Sequence, residues 1–242
     1  MGTGSAPAVL PAADAYRLWA PSYDAESAFT TLEDEGVRAH SPAPVPGVRL
    51  LDAACGTGRR LAAAVAQGAR GVGIDLVPDM VREGRRLHGP LAAAVGDLHA
   101  LPLRSAAFDL LWCRLAVGHL QHVEPAYREL ARVAAPGATV VVTDFHPAAV
   151  DAGFARAFTD AAGAVHAVRH YRHALETHRA AAAAAGLEPD AAVDLTVGPA
   201  IRPLYEAAGR GARYQEQFGH PLVLLLRFQR SPHAPPPPSR DG

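Results

Sequence analysis

From Val48 onward the chain alternates short apolar runs with helix-length amphipathic stretches. The runs Val48–Ala53, Gly71–Asp75, Leu91–Val95, Phe108–Cys113 and Thr139–Asp144 predict strands. The stretches Gly58–Gln67, Pro78–Leu87 and Pro125–Ala134 predict helices, the last closed by Pro136-Gly137. Strands that are apolar throughout and joined by helical crossovers define a parallel sheet covered on both faces, so the class is α/β. A helix over Tyr171–Ala185, stopped by Gly186, and strands over Ala192–Val197 and Leu222–Phe228 follow. The stretch Gly198–His220 is long for a connection and is expected to be an insertion that recognises substrate. Upstream, Asp14–Trp19 and Leu32–Arg38 predict two short helices parted by Pro21 and closed by a Pro-rich linker. The expected layout is an N-terminal helical cap and linker (1–47), a main domain (48–230) with an insertion (198–220), and a disordered Pro-rich tail (231–242).

Composition narrows the chemistry. Of 242 residues, 49% are hydrophobic and 19% charged, which is a packed globular chain. All 23 basic residues counted as Lys or Arg are Arg, so chemistry that requires lysine, a P-loop contact or a Schiff base, is excluded. A net charge of −1 offers no broad basic surface, and nucleic acid is not an expected partner. The two cysteines, Cys55 and Cys113, are far apart and form neither a disulfide framework nor a zinc motif. No 18-residue apolar run occurs and Met1–Leu10 lacks a leader pattern, so the expectation is a cytoplasmic protein without membrane contact, monomeric or homodimeric.

The segment Leu50-Leu51-Asp52-Ala53-Ala54-Cys55-Gly56-Thr57-Gly58 runs a buried strand into a glycine turn and a helix. Such a turn lets a nucleotide-like ligand approach the backbone beside a helix N-terminus. The dinucleotide fingerprint needs a third glycine where Leu61 stands, which disfavours NAD and FAD. Further blocks follow in order: Gly73-Ile74-Asp75-Leu76-Val77-Pro78-Asp79-Met80, Gly96-Asp97-Leu98-His99-Ala100-Leu101-Pro102, Phe108-Asp109-Leu110-Leu111, and Glu129-Leu130-Ala131-Arg132-Val133 before Pro136-Gly137. Together they resemble the motifs of the class I S-adenosylmethionine-dependent methyltransferases. The prefix Trp19-Ala20-Pro21-Ser22-Tyr23-Asp24 is similar to the ubiquinone/menaquinone-type and natural-product branch.

The resemblance implies a Rossmann-like seven-stranded sheet, mostly parallel with the last strand antiparallel, under an N-terminal helical cap. It implies S-adenosylmethionine as methyl donor, S-adenosylhomocysteine as product, and a small-molecule acceptor, with specialised metabolism the expected setting. Asp75 then takes the ribose diol, as a strand-end carboxylate can accept two hydrogen bonds. Asp97 and Leu98 receive the adenine, although Gly-Asp-Leu also suits a plain turn. Asp52, Ala53, Ala54, Gly56, Gly58, Leu76, Met80 and Arg114 line the rest of the cofactor site, the last through its backbone with a side chain free to reach solvent. Tyr23, and Tyr16 beside it, close over the methionine end or serve only as packing. Two histidines at carboxyl ends of neighbouring strands are the expected catalytic groups, His119 as base and His146 as orienting group or alternative base. Oxygen is the first choice of acceptor atom, with nitrogen and carbon next. A cofactor-binding protein with a different reaction, or a non-catalytic scaffold, is the alternative. His166, His170, His173 and His178 include spacings of four and three that can share one helical face, as pocket lining or a solvated face rather than a metal site.

Overall fold

The computed structural model describes residues 7–160 and 162–233. The tail expected to be disordered lies, from residue 234, outside them. In chain order the elements are β1 (Ala8–Leu10), α1 (Ala12–Trp19), α2 (Ala28–His40), β2 (Arg49–Ala53), α3 (Arg59–Ala66), β3 (Arg70–Asp75), α4 (Pro78–His88), β4 (Ala93–Val95) and β5 (Phe108–Arg114). Then come α5 (Glu124–Val133), β6 (Ala134–Phe145), α6 (Pro147–Asp151), β7 (Ala157–Thr159), β8 (Val165–Val168), α7 (Leu175–Ala184), β9 (Leu187–Thr196), α8 (Arg202–Ala207), α9 (Gly211–Gln217) and β10 (Pro221–Arg230).

The main sheet has seven strands in the order β4-β3-β2-β5-β6-β10-β9, with β10 antiparallel to both neighbours and the other pairings parallel. Alternation along β10 shows how both faces are filled: Leu224, Leu226 and Phe228 join one core with Tyr127 and Leu130 of α5. Val223 and Leu225 join the other, with Val37 of α2 and with Tyr205 and Tyr214 of α8 and α9. The chain runs outward from β2 to β3 and β4, then returns to the other side of β2 as β5. The connections leaving β2 and β5 therefore diverge and open a crevice at the strands' carboxyl ends.

A second sheet was not foreseen. It has three strands, β1-β8-β7, in which β1 runs parallel to β8 through Ala8–His166 and Leu10–Val168. The stretch expected to be an insertion carries α8 and α9, which pack into the core beside α2.

Candidate cofactor and acceptor site

The crevice holds a cavity walled by the turn after β2, the end of β3, the segment after β5 and the N-terminal cap. Its floor is the turn after β2, where Ala54 (φ 63°), Gly56 (φ 61°) and Gly58 (φ 74°) are all left-handed. Gly56 is required twice over, for its φ and because a side chain there would press on Met80 Cε and Tyr23 Cε1. The turn brings Gly56 N–H to Asp75 Oδ2 (2.7 Å), while Val77 N–H donates to Asp75 Oδ1 (2.9 Å). Each oxygen thus accepts one backbone donor and keeps a lone pair. Burial raises the Asp75 carboxyl above its usual range, against the pull of these two donors.

The opposite wall is built by Leu115, Ala116 and His119 after β5, and the roof by Tyr16 and Tyr23 of the cap. His119 Nδ1 faces the Arg169 carbonyl oxygen (2.9 Å), so it carries the proton, and Nε2 accepts from the Tyr16 hydroxyl (2.9 Å). Burial, helped by the positive charge of Arg156, pushes His119 down to about 4, so the ring is neutral at physiological pH. Burial likewise raises the Tyr16 phenol. Tyr16 packs against Trp19 and Tyr23, and Trp19 stacks on Phe158 of β7 with ring centroids 4.8 Å apart.

Ion pairs fix the cap to this floor. Asp24 accepts from Thr57 Oγ1 (2.5 Å) in the glycine turn and contacts His88 Nε2 (2.8 Å) at the end of α4. Glu33 of α2 is wholly buried and takes Arg114 Nε (2.8 Å), Arg60 Nη2 (2.9 Å) and Thr143 Oγ1 (2.7 Å). Burial would raise its carboxyl, but Arg114 and Arg60 hold it below the usual range. Beside this cluster lies Asp52, whose Oδ2 has no hydrogen-bond partner and whose carboxyl burial pushes up to about 6.

Of the residues the sequence singles out, the cavity wall brings together Tyr23, Ala54, Gly56, Asp75, Leu76, Met80, Asp97, Leu98, Arg114 and His119. Asp52, Ala53, Gly58 and His146 lie outside it. Asp52 and Ala53 are buried within β2, and Gly58 serves as N-cap of α3. His146 caps α6: its Nδ1 accepts from Ala148 N–H (3.1 Å) and its Nε2 meets Asp194 Oδ1 (3.1 Å), so both ring nitrogens are engaged away from the cavity. The Arg114 side chain turns inward to Glu33 and Asp34 and does not reach solvent. Nor do the four later histidines share a helix face. His166 sits on β8 against Asp160, His170 and His173 lie in the connector before α7, and only His178 is on that helix. The connector turns His170 toward Asp144 at the end of β6 (3.6 Å). It fits there because residue 118 is glycine, whose missing Cβ would collide with both side chains.

Sequence reasoning passed over Glu33, the anchoring contacts of Asp24 and the Asp144–His170 pair. Glu33 left a readable sign, standing at the helical spacing between apolar Phe29 and Val37. Asp144 and His170 left none, since only the fold joins them.

Known proteins place this arrangement. The profile of a family described as "Methyltransferase domain" matches residues 51–142. A malonyl-[acyl-carrier protein] O-methyltransferase of Dechloromonas aromatica is 31% identical over 199 residues, covering 79% of this chain and 70% of that protein. One of the same name from Erwinia billingiae is 33% identical over 129 residues, covering 53% of this chain and 51% of that protein. The chain thus spans about half the length of the curated relatives at the head of the comparison. Among solved structures, an S-adenosylmethionine dependent methyltransferase from Mesorhizobium loti shares the fold, with a TM-score of 0.66 at 22% identity over 84% of this chain and all of that one. A sheet with this strand order and a carboxylate held by a glycine turn at its switch point defines a nucleoside-binding Rossmann-like protein. The chain belongs to the class I S-adenosylmethionine-dependent methyltransferases. The residues fit that family's cofactor: Asp75 stands in the cavity wall, and each of its oxygens accepts one backbone donor and keeps a lone pair for a further one.

Proposed function

We propose that this chain transfers a methyl group from S-adenosylmethionine to a small-molecule acceptor, with oxygen the favoured acceptor atom. The observation that carries the reading is Asp75, pinned by two backbone donors at the wall of the switch-point cavity. S-adenosylmethionine supplies an electrophilic methyl group on a sulfonium. Asp75 would hold the ribose, Asp97 and Leu98 the adenine, and the turn Ala54–Gly56 the methionine part. Tyr16 and Tyr23 roof the cavity and exclude water from the reacting centre. His119 acts on the acceptor: its tautomer is fixed by the Arg169 carbonyl, so Nε2 is the acceptor nitrogen that an incoming hydroxyl would reach in place of Tyr16. The malonyl-[acyl-carrier protein] O-methyltransferases among the relatives support oxygen over nitrogen or carbon.

Calorimetric titration with S-adenosylmethionine and S-adenosylhomocysteine, with NADH as control, tests this. Micromolar binding of the first two is expected, with Asp75→Ala weaker by about tenfold or more, since a buried hydrogen bond to a charged group is worth roughly 1.5–3 kcal/mol. Binding then licenses a labelled-methyl assay across hydroxyl, amine and carbon acceptors. No binding of either adenosyl compound would overturn the proposal.

A further inference from the structure

Arg156, immediately before β7, is 7% exposed. Its Nη1 donates to the Leu115 carbonyl oxygen (3.3 Å), and the guanidinium lies over the rings of Phe29 (5.1 Å) and Trp19 (5.8 Å). The other deeply buried guanidiniums near the site are matched by acids: Arg114 and Arg60 share Glu33 and Asp34. Among the described residues no carboxylate lies within 4 Å of Arg156. Asp144, the acid of this region, is turned instead to His170 (3.6 Å) and His178 (3.4 Å). A buried cation without a counter-ion is costly unless something supplies the negative charge. The place it occupies says what could. Leu115 and Tyr16, both of which it touches, line the cavity together with His119, and Arg156 stands behind them rather than in the cavity wall.

We propose that Arg156 is the counter-ion for a carboxylate carried by the acceptor. This rests on the methyltransferase reading and adds a substrate class to it. The guanidinium's planar fork matches a carboxylate, and the pairing lowers that carboxylate's nucleophilicity toward a methyl donor. The carboxylate is therefore the acceptor's handle, and the methyl group goes to another atom, presented to His119. Trp19 and Phe29 give the ion pair an apolar surround that sharpens discrimination between a charged acid and its neutral amide.

The test titrates the protein, with and without S-adenosylhomocysteine, with benzoate, benzamide, hexanoate and hexanamide as probes. With the product bound, each acid is expected to bind at least tenfold more tightly than its amide. In Arg156→Met that preference should fall below twofold while affinity for S-adenosylhomocysteine is kept. Arg156→Gln serves the same purpose should the methionine variant not fold. Wild-type protein that binds S-adenosylhomocysteine yet does not prefer acids overturns the carboxylate handle alone, as does a preference that survives loss of the guanidinium. Failure to bind S-adenosylhomocysteine overturns the methyltransferase reading instead, and the acid preference measured without it still decides the role of Arg156.

Discussion

Asp52 is a residue that folding places at an electrostatic disadvantage. In the unfolded chain its carboxyl ionises near 3.8, while in the fold burial moves it to about 6, even with Arg114 and Arg60 nearby. The unfolded state therefore loses its proton first. Stability from this group is full below pH 4, falls as pH rises through 6, and is constant above, a loss of about 3 kcal/mol on the scale of 1.36 kcal/mol for each pH unit of displacement. Urea denaturation of wild type and Asp52→Asn across pH 3.5–8 checks this. The asparagine variant should gain relative stability between pH 4 and 6 and hold the gain above, whereas a difference that does not change with pH would mean the carboxyl ionises normally. The position of Asp75 and His119 in the cavity wall was readable at this scale because one ends a strand and the other closely follows one. His146 misled for the same reason, since a histidine following a strand can cap the next helix as readily as it can face a ligand.

At the scale of elements, α2 does more than cap. Its apolar face packs on the sheet through Val37, Leu32 and Phe29, and Glu33 sends one carboxylate to two arginines and a threonine hydroxyl. Removing that carboxylate leaves buried charges on Arg114 and Arg60 with only Asp34 to share. Glu33→Ala is expected to lower unfolding free energy by roughly 3–5 kcal/mol, read from the urea midpoint, and a loss below 1 kcal/mol would show the cluster to be dispensable. The central strands of the main sheet were legible because both faces are covered and apolar residues dominate them, as in β5 and β10. The short strands β1, β7 and β8 were not, because three or four residues with exposed positions show no period to read. The helices of 198–220 hid behind Pro199, Pro203 and a string of glycines, and their apolar anchors Ile201, Tyr205 and Tyr214 are few.

For the whole molecule, the site lies between a rigid sheet and a thin cover. The floor hangs from buried β2, β3 and β5, while the roof is α1 and the turn Ala20–Ser22, attached through aromatic stacking, Asp24 and the small sheet. Local opening is easiest where few buried contacts resist it. Hydrogen exchange across Ala12–Tyr23 should slow by about tenfold or more on binding S-adenosylhomocysteine, while α5, packed in the main core, is unchanged. Equal protection of the two segments would mean the cover does not open separately.

The pairing of β1 with β8 also sets an order of events during synthesis. Ala8 finds its partner in His166, a strand made long after it. At roughly 5–20 residues per second, that wait lasts about ten to thirty seconds on the ribosome. For that interval the β2–β5 floor and its glycine turn have left the exit tunnel before the roof has anything to pair with. The nascent protein thus makes its nucleoside-binding half well before the strand that its water-excluding half pairs with.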